Sequence, residues 1–189
     1  MREVLALLRR FAGIRSDRAG YLEMSLSMVG GLVGLIGVML ISKAQLGAVG
    51  SVSLVASMGA SAMLLFAVPH GPLSQPWPVF GGHLVSAMIG VACIQAIPDT
   101  DLAAPVAVGL AIGAMHYLRC MHPPGGATAL SAVVGDSAVH QLGYLYVLTP
   151  VMLNAVTILL VALVFNYPFP WRRYPVALGQ RVKAPEIKP

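Results

Sequence analysis

The chain has 189 residues, of which 57% are apolar and only 10% are charged, and its formal net charge is +5. Soluble proteins carry roughly 25% charged residues, so this composition excludes an ordinary soluble domain and predicts an integral membrane protein whose surroundings are the lipid bilayer. Because most of the cations lie in the two terminal segments, they indicate membrane orientation and not a nucleic-acid partner.

The two termini are basic and predict where the chain ends lie. Residues 1–21 mix arginines with apolar side chains, which is typical of an amphipathic helix at the cytoplasmic membrane surface. Residues 169–189 form a second basic segment after the last apolar stretch. Since cations are retained on the cytoplasmic side, we expect both termini there, with an even number of crossings of a bacterial inner membrane.

Apolar segments between residues 22 and 168 predict an all-α membrane protein, a polytopic helical bundle. In chain order they cover about 22–41, 49–68, 81–97, 102–118, 123–135 and 144–165. Four prolines between Pro69 and Pro78 predict a tight turn without regular helix, with Trp77 at the membrane interface. Six crossings, or four crossings with two re-entrant half-helices, both agree with the charge distribution.

The segments divide into two sets of three, residues 22–98 and residues 102–166. The middle segment of each set carries nearly the same tetrapeptide, Gly59-Ala-Ser-Ala62 and Gly126-Ala-Thr-Ala129. We therefore predict two inverted three-segment repeats in which each middle segment is broken or half-helical, as in many secondary transporters. Half-helix N-termini that meet near the midplane would form an anion site. The Gly-rich helix faces also predict contacts in a homo-oligomer.

The stretch from Arg119 to Gly126, Arg-Cys-Met-His-Pro-Pro-Gly-Gly, is the main polar interruption of the apolar sequence. Polar groups inside a membrane are costly, so we interpret this stretch as the functional site. His122 and Arg119 are candidate ligands for an anion, and Gly125 and Gly126 would let it approach the backbone. The other candidate substrate-binding residues are a glycine, two hydroxyls and a second histidine: Gly59, Ser61, Thr128 and His83.

Other interpretations of these residues stay open. Arg119 can be a positive-inside anchor without any contact with substrate, and His83 can simply bond to backbone near the turn. Cys120 and His122 could form a catalytic or metal-binding pair. No carboxylate lies nearby to orient the imidazole, so we predict no enzyme, no metal site and no cofactor. Cys93 and Cys120 are expected to be packing residues.

Three motifs, in this order, carry a resemblance to a known family. They are Gly59-Ala-Ser-Ala62, Pro72-Leu-Ser-Gln-Pro-Trp-Pro-Val-Phe-Gly-Gly-His83 and Met121-His-Pro-Pro-Gly-Gly-Ala-Thr-Ala129. With them the chain resembles the HPP family of integral membrane proteins over about residues 25–169. The resemblance implies a multi-span membrane protein, usually described with four spans and regarded as a transporter, with some photosynthetic members assigned to nitrite.

The resemblance thus implies membrane transport of a small inorganic anion, most simply nitrite or a similar monovalent species. An anion channel of the same architecture is one alternative. A non-transporting protein that binds lipid or serves in membrane assembly is another.

Overall fold

The computed structural model of the protein contains helices and no strands in the part that it describes, residues 4, 11–12, 20–50 and 52–179, with only the backbone described for residues 45–50 and 52–53. Most of the predicted surface helix, residues 1–21, lies outside the described residues, as does the basic stretch 180–189. In the described part, the predicted all-helical architecture is confirmed.

Eight α-helices follow one another along the described chain. Their bounds are α1 Tyr21–Gly50, α2 Val52–Ala67, α3 Pro76–Ala96, α4 Thr100–Tyr117, α5 Pro123–Val134, α6 Ser137–Leu142, α7 Leu153–Asn166 and α8 Val176–Gly179. A π-helical segment, Val147–Met152, leads into α7. Among the residues that the structure describes, three stretches are long and apolar enough to cross a membrane: Tyr21–Ala44, Pro76–Ala96 and Val147–Asn166.

Neighbouring long helices run in opposite directions, as contacts at the two ends of the bundle show. At one end, the Trp77 indole N–H, at the start of α3, donates to the carbonyl of Leu118, just after α4. At the opposite end, Asn154 at the start of α7 donates to the Ser42 hydroxyl near the end of α1. A side chain added at Gly143, before α7, would meet Gln95 at the end of α3. The repeat relation between the two sets of helices remains a prediction.

The proline-rich turn is shorter than we expected, because α3 already begins at Pro76. Gln75 is its N-cap residue, so Pro76 and Pro78 both lie in the first turn. The first four N–H groups of an α-helix have no partner within the helix, and proline loses nothing by lacking one there. Our expectation that Pro69 to Pro78 excludes regular helix was therefore wrong for its last three residues.

The predicted break in the second segment is absent, since α2 runs without interruption from Val52 to Ala67. The β-rich stretch from Val49 to Val55 predicted an extended half, but the backbone is helical up to Gly50 and again from Val52, because β-propensity is a weak preference that packing overrides. The interruption instead lies in the last segment, where Thr149 has extended angles, φ −139° and ψ 116°, between two helical stretches. Of the two middle segments, α5 is the short one, with 12 residues.

The segment after α7 folds back onto the bundle and is held there by Arg172, which is only 1% exposed. Its guanidinium donates to the Asn166 side chain at 3.1 Å and to the Phe66 carbonyl, at the end of α2, at 2.6 Å. It also forms an ion pair with Glu23 in the first turn of α1. Arg172 therefore joins α1, α2 and α7 at one end of the bundle, in addition to any effect on membrane orientation.

Candidate functional site

Five polar side chains meet inside the bundle and form what we call the polar cluster. All five have no exposed surface: Ser57, Ser61, His83, His122 and Thr128. They come from α2, α3, α5 and the residue that caps α5. The sequence predicted four of them as substrate-binding residues, and the structure brings those four together.

Helical spacing and the Pro-Pro pair put these side chains in place. Ser57 and Ser61 are four residues apart on α2 and so lie on the same face of that helix. Thr128 lies one turn beyond Pro124 in α5, and His83 lies in the second turn of α3. His122 has extended angles, φ −140° and ψ 101°, because the proline that follows disfavours the helical region. This places its imidazole between α2 and α3.

A continuous chain of hydrogen bonds connects the cluster. The Ser61 hydroxyl lies 2.8 Å from His83 Nε2 and 3.0 Å from His122 Nε2. On the other side of the His83 ring, Nδ1 lies 2.7 Å from Thr128 Oγ1. The Thr128 hydroxyl is in turn 2.6 Å from the Ser57 hydroxyl. The two imidazole rings meet edge to face, with 5.0 Å between their centroids.

The chain ends in two backbone carbonyls. His122 Nδ1 donates to the carbonyl of Leu73 in the turn before α3, at 2.8 Å. At the other end, the Ser57 hydroxyl lies 3.0 Å from the carbonyl oxygen of Pro124, which can accept its single hydrogen when that hydrogen is not donated to Thr128. The carbonyl oxygen of a residue in a helix has a second lone pair, so it can accept a side-chain hydrogen bond in addition to the helical one. Every side chain of the cluster therefore has a partner despite its burial.

Close backbone packing between α3 and α5 surrounds the cluster. A Cβ atom added to Gly82 would lie 2.6 Å from His122 Cβ, and one added to Gly125 would lie 2.8 Å from the Gly82 carbonyl oxygen. Only glycine allows backbones to approach this closely. Gly125 thus serves helix packing, which differs from the contact with an anion that the sequence predicted.

The N-terminus of α5 does not offer the free backbone donors that we expected. Its first two positions are Pro123 and Pro124, which have no N–H group, and the Gly125 N–H bonds to the His122 carbonyl at 2.8 Å. The expectation of an anion held by backbone N–H groups at this helix start was wrong. Donors for an anion would have to come from side chains.

Gly59 and Gly126 lie outside the polar cluster, on faces with free space. A Cβ atom at Gly59 would meet no atom within 4 Å, and one at Gly126 would meet only a Val108 methyl group at 4.0 Å. Gly59 lines a groove between α1 and α2, whereas Gly126 lines an apolar groove with Val108 and His116. Their predicted contact with substrate has no support in this arrangement.

Arg119 is exposed and has a backbone role that the sequence did not reveal. Its φ of 55° places it in the left-handed region. The Cys120 N–H bonds to the Met115 carbonyl at 2.9 Å and the Arg119 N–H to the His116 carbonyl at 3.2 Å, which is the Schellman arrangement at a helix C-terminus. Arg119 therefore ends α4 and directs the next residues into the bundle.

This geometry predicts different stabilities for two substitutions that both remove the Arg119 charge. Arg119→Gly should be more stable than Arg119→Ala by about 1 kcal/mol, because glycine adopts the left-handed region without the steric cost of a Cβ atom. Thermal unfolding of the two purified variants in the same detergent would measure the difference. Equal melting temperatures would contradict the backbone role.

The arrangement does not favour a Cys/His catalytic pair. Both ring nitrogens of His122 are already engaged, by Leu73 and by Ser61. The Cys120 side chain instead packs against the α3 backbone, where a Cβ atom at Gly81 would lie 2.9 Å from Cys120 Cβ. In the ranges that the structure describes, no three His, Cys, Asp or Glu side chains are grouped to hold a metal ion.

The sequence missed several contacts that hold the site. Leu73 accepts the His122 hydrogen bond through its backbone, and Tyr174 donates to the neighbouring carbonyl of Ser74 at 2.8 Å. Val176 N–H bonds to the Gln75 side chain at 3.0 Å. Backbone acceptors carry no side-chain signal, but the aromatic and proline residues at 167–175 could have indicated a folded tail.

Comparison with known proteins places the chain among membrane proteins. The family described as "HPP, transmembrane region" matches residues 16–175. A Dictyostelium discoideum protein is 41% identical over 130 residues, which are 67% of this chain and 42% of that protein. A second protein of the same organism is 38% identical over 127 residues, 65% of this chain and 44% of that protein.

Both relatives are named only as transmembrane proteins. The matched part of the chain spans less than half the length of each of them. None of the solved structures matches the chain significantly.

Proposed function

The chain belongs to the HPP transmembrane-region family, and from this premise we propose that it transports a small inorganic anion through the polar cluster. Nitrite or a similar monovalent species is the substrate that we favour. We further propose that the membrane is a bacterial inner membrane, that both termini are cytoplasmic, and that Gly-rich helix faces mediate homo-oligomer contacts. We propose no enzymatic activity.

The observation that carries this proposal is the convergence of five fully buried polar side chains in a membrane-embedded bundle. Apolar residues would suffice for packing between the helices, because their burial has no desolvation cost. Ionisable residues at such depth usually mark a substrate or ion pathway. Two imidazoles and three hydroxyls are also the donors that a small oxyanion can use.

The burial of the polar cluster favours a carrier over a channel. Because none of its side chains has exposed surface, an anion can reach them only after the surrounding helices move. An anion that enters would replace some of the hydrogen bonds between Ser61, His83 and His122 with bonds to itself. Alternating access of this kind is the behaviour expected of a carrier, whereas an open pore would leave a continuous path.

Flux into liposomes tests the proposal. We expect purified protein to take up one or more of nitrite, nitrate and chloride with saturation and counterflow, which a channel does not show. His122→Ala should reduce uptake at least about tenfold, because a main donor to the anion is lost. Thr128→Val, which keeps the side-chain shape but removes the hydroxyl, should reduce it as well.

Gel filtration and thermal unfolding of each variant check that it is folded. Thr128→Ser retains the hydroxyl and serves as the matched control, with uptake closer to that of the original protein. Wild-type uptake by well-folded His122→Ala and Thr128→Val proteins would refute the site. Uptake of none of the three anions by the original protein would refute the transport function.

A further inference from the structure

The hydrogen bonds of the polar cluster fix where its hydrogens lie when both imidazoles are neutral. The Leu73 carbonyl can only accept, so His122 carries its hydrogen on Nδ1 and its Nε2 accepts from the Ser61 hydroxyl. That hydroxyl has a single hydrogen, so the bond between Ser61 and His83 must be donated by His83 Nε2. His83 Nδ1 then accepts from Thr128. Thr128 also has a single hydrogen, so in this state Ser57 donates to Thr128 and not to the Pro124 carbonyl, and all bonds from Ser57 to Leu73 point the same way along the chain.

One additional proton reverses this direction without breaking a contact. A proton that binds His83 Nδ1 allows His83 Nε2 to release its hydrogen to the Ser61 oxygen, while Ser61 releases its own hydrogen to His122 Nε2. One N–H bond and one O–H bond break, one of each forms, and nothing is oxidised or reduced. Thr128 then turns its hydroxyl to the Pro124 carbonyl, which lies 3.3 Å away.

A second proton is disfavoured, because it would place two positive charges on rings whose centroids are 5.0 Å apart in a site closed to water. The cluster thus accommodates one extra proton, on either imidazole.

The groups that face the two imidazoles provide no negative charge to balance that proton. Besides the imidazoles themselves, the cluster contains the hydroxyls of Ser57, Ser61 and Thr128, which come from α2 and α5. The Cys120 thiol and the Met115 thioether, at the end of α4, pack against α3 beside it. Within the described residues, Arg172 is the one charged side chain that is buried, and it is paired with Glu23. A protonated cluster therefore needs an anion from outside.

We propose that His83, Ser61 and His122 form a relay that takes up one proton with each monovalent anion, so that the transport cycle moves no net charge. This inference rests on the proposed anion transport and specifies its coupling. The anion supplies the missing negative charge, and the proton supplies the positive charge that the neutral cluster lacks. Each of the two makes the binding of the other more favourable.

Two measurements on the full chain test the relay separately from transport. The first is NMR of histidine labelled with ¹⁵N in the rings, in lipid bilayers, with His83→Gln and His122→Gln used to assign the signals. At neutral pH we expect hydrogen on Nδ1 of His122 and on Nε2 of His83. In acidic nitrate solution we expect one imidazolium per cluster. Hydrogen on Nε2 of neutral His122, or independent protonation of both rings, would overturn the relay.

The second measurement follows nitrate uptake and internal pH in liposomes under a set potassium potential. We expect acidification by one proton per nitrate, at a rate that does not depend on the potential. Ser61→Ala should lower this coupled uptake about tenfold, because it removes the group between the two imidazoles. Ser86→Ala is the matched control. Ser86 is equally buried in α3, but its hydroxyl donates to the Met115 sulfur at 3.8 Å and does not belong to the relay, so uptake should stay close to the original.

The outcomes separate the two proposals. Nitrate uptake that follows the potential and leaves the internal pH unchanged would overturn the relay but keep anion transport. Uptake of neither nitrate, nitrite nor chloride would overturn anion transport and its coupling, while the NMR measurement still decides whether the cluster holds a single proton. An equal loss of uptake in Ser61→Ala and Ser86→Ala would also count against the relay.

Discussion

Replacing Arg172 with alanine is expected to destabilise the folded protein by about 2–6 kcal/mol, because two buried acceptors lose their donor at a cost of about 1–3 kcal/mol each. The substitution leaves the Phe66 carbonyl and the Asn166 side chain without their donor inside the bundle. It also leaves Glu23 without its cation. The melting temperature in detergent and the yield of monodisperse protein would both fall.

The neighbouring Arg173 provides the matched control. It is half-buried, and its guanidinium lies 5.7 Å from the centre of the Tyr167 ring. A cation–π contact of this kind contributes about 0.5–1 kcal/mol at exposed sites, so Arg173→Ala should have a much smaller effect. Similar losses for the two alanine variants would mean that Arg172 contributes only charge at the membrane surface.

Gly125→Ala is the second substitution for which we expect a large effect. Its new Cβ atom would lie 2.8 Å from the Gly82 carbonyl oxygen, which is backbone and cannot rotate away. Overpacking of this kind costs about 1–3 kcal/mol and would push α5 away from α3. His122 precedes α5 and His83 lies on α3, so transport should fall together with stability.

Gly126→Ala tests the same chemical change one residue later in α5. The nearest atom to its Cβ would be 4.0 Å away, so nothing has to move. Alanine favours a helix over glycine by about 0.5–1 kcal/mol, and this variant should be as stable as the original or slightly more stable. Comparison of melting temperatures and of anion uptake for the pair measures the effect of packing alone. A less stable Gly126→Ala would contradict the arrangement.

The sequence predicted the helices and the core of the candidate site because both depend on local chemistry. Apolar runs indicate helices in a membrane, and the Pro123-Pro124 pair marks the start of α5. The paired tetrapeptides pointed to Ser61 and Thr128, which the structure joins through the ring of His83.

What the sequence did not predict depends on contacts distant along the chain. Arg172 follows the last apolar segment and was interpreted as an orienting charge. Nothing nearby in the sequence indicates that it contacts Glu23, which lies 149 residues earlier in the chain. Gly125 and Gly126 are indistinguishable in the sequence, although one packs against α3 and the other faces a groove. Only the rotation of α5 separates their roles.

Several helices of this protein are joined by side chains that bond to a backbone carbonyl of another segment. The pairs, donor first, are His122 with Leu73, Arg172 with Phe66, Tyr174 with Ser74 and Trp77 with Leu118. Any residue type supplies the same carbonyl, so in evolution the donors should be constrained while the residues opposite them vary. Searches for paired substitutions among relatives would therefore overlook these contacts, and invariant residues without an invariant neighbour would be their signature.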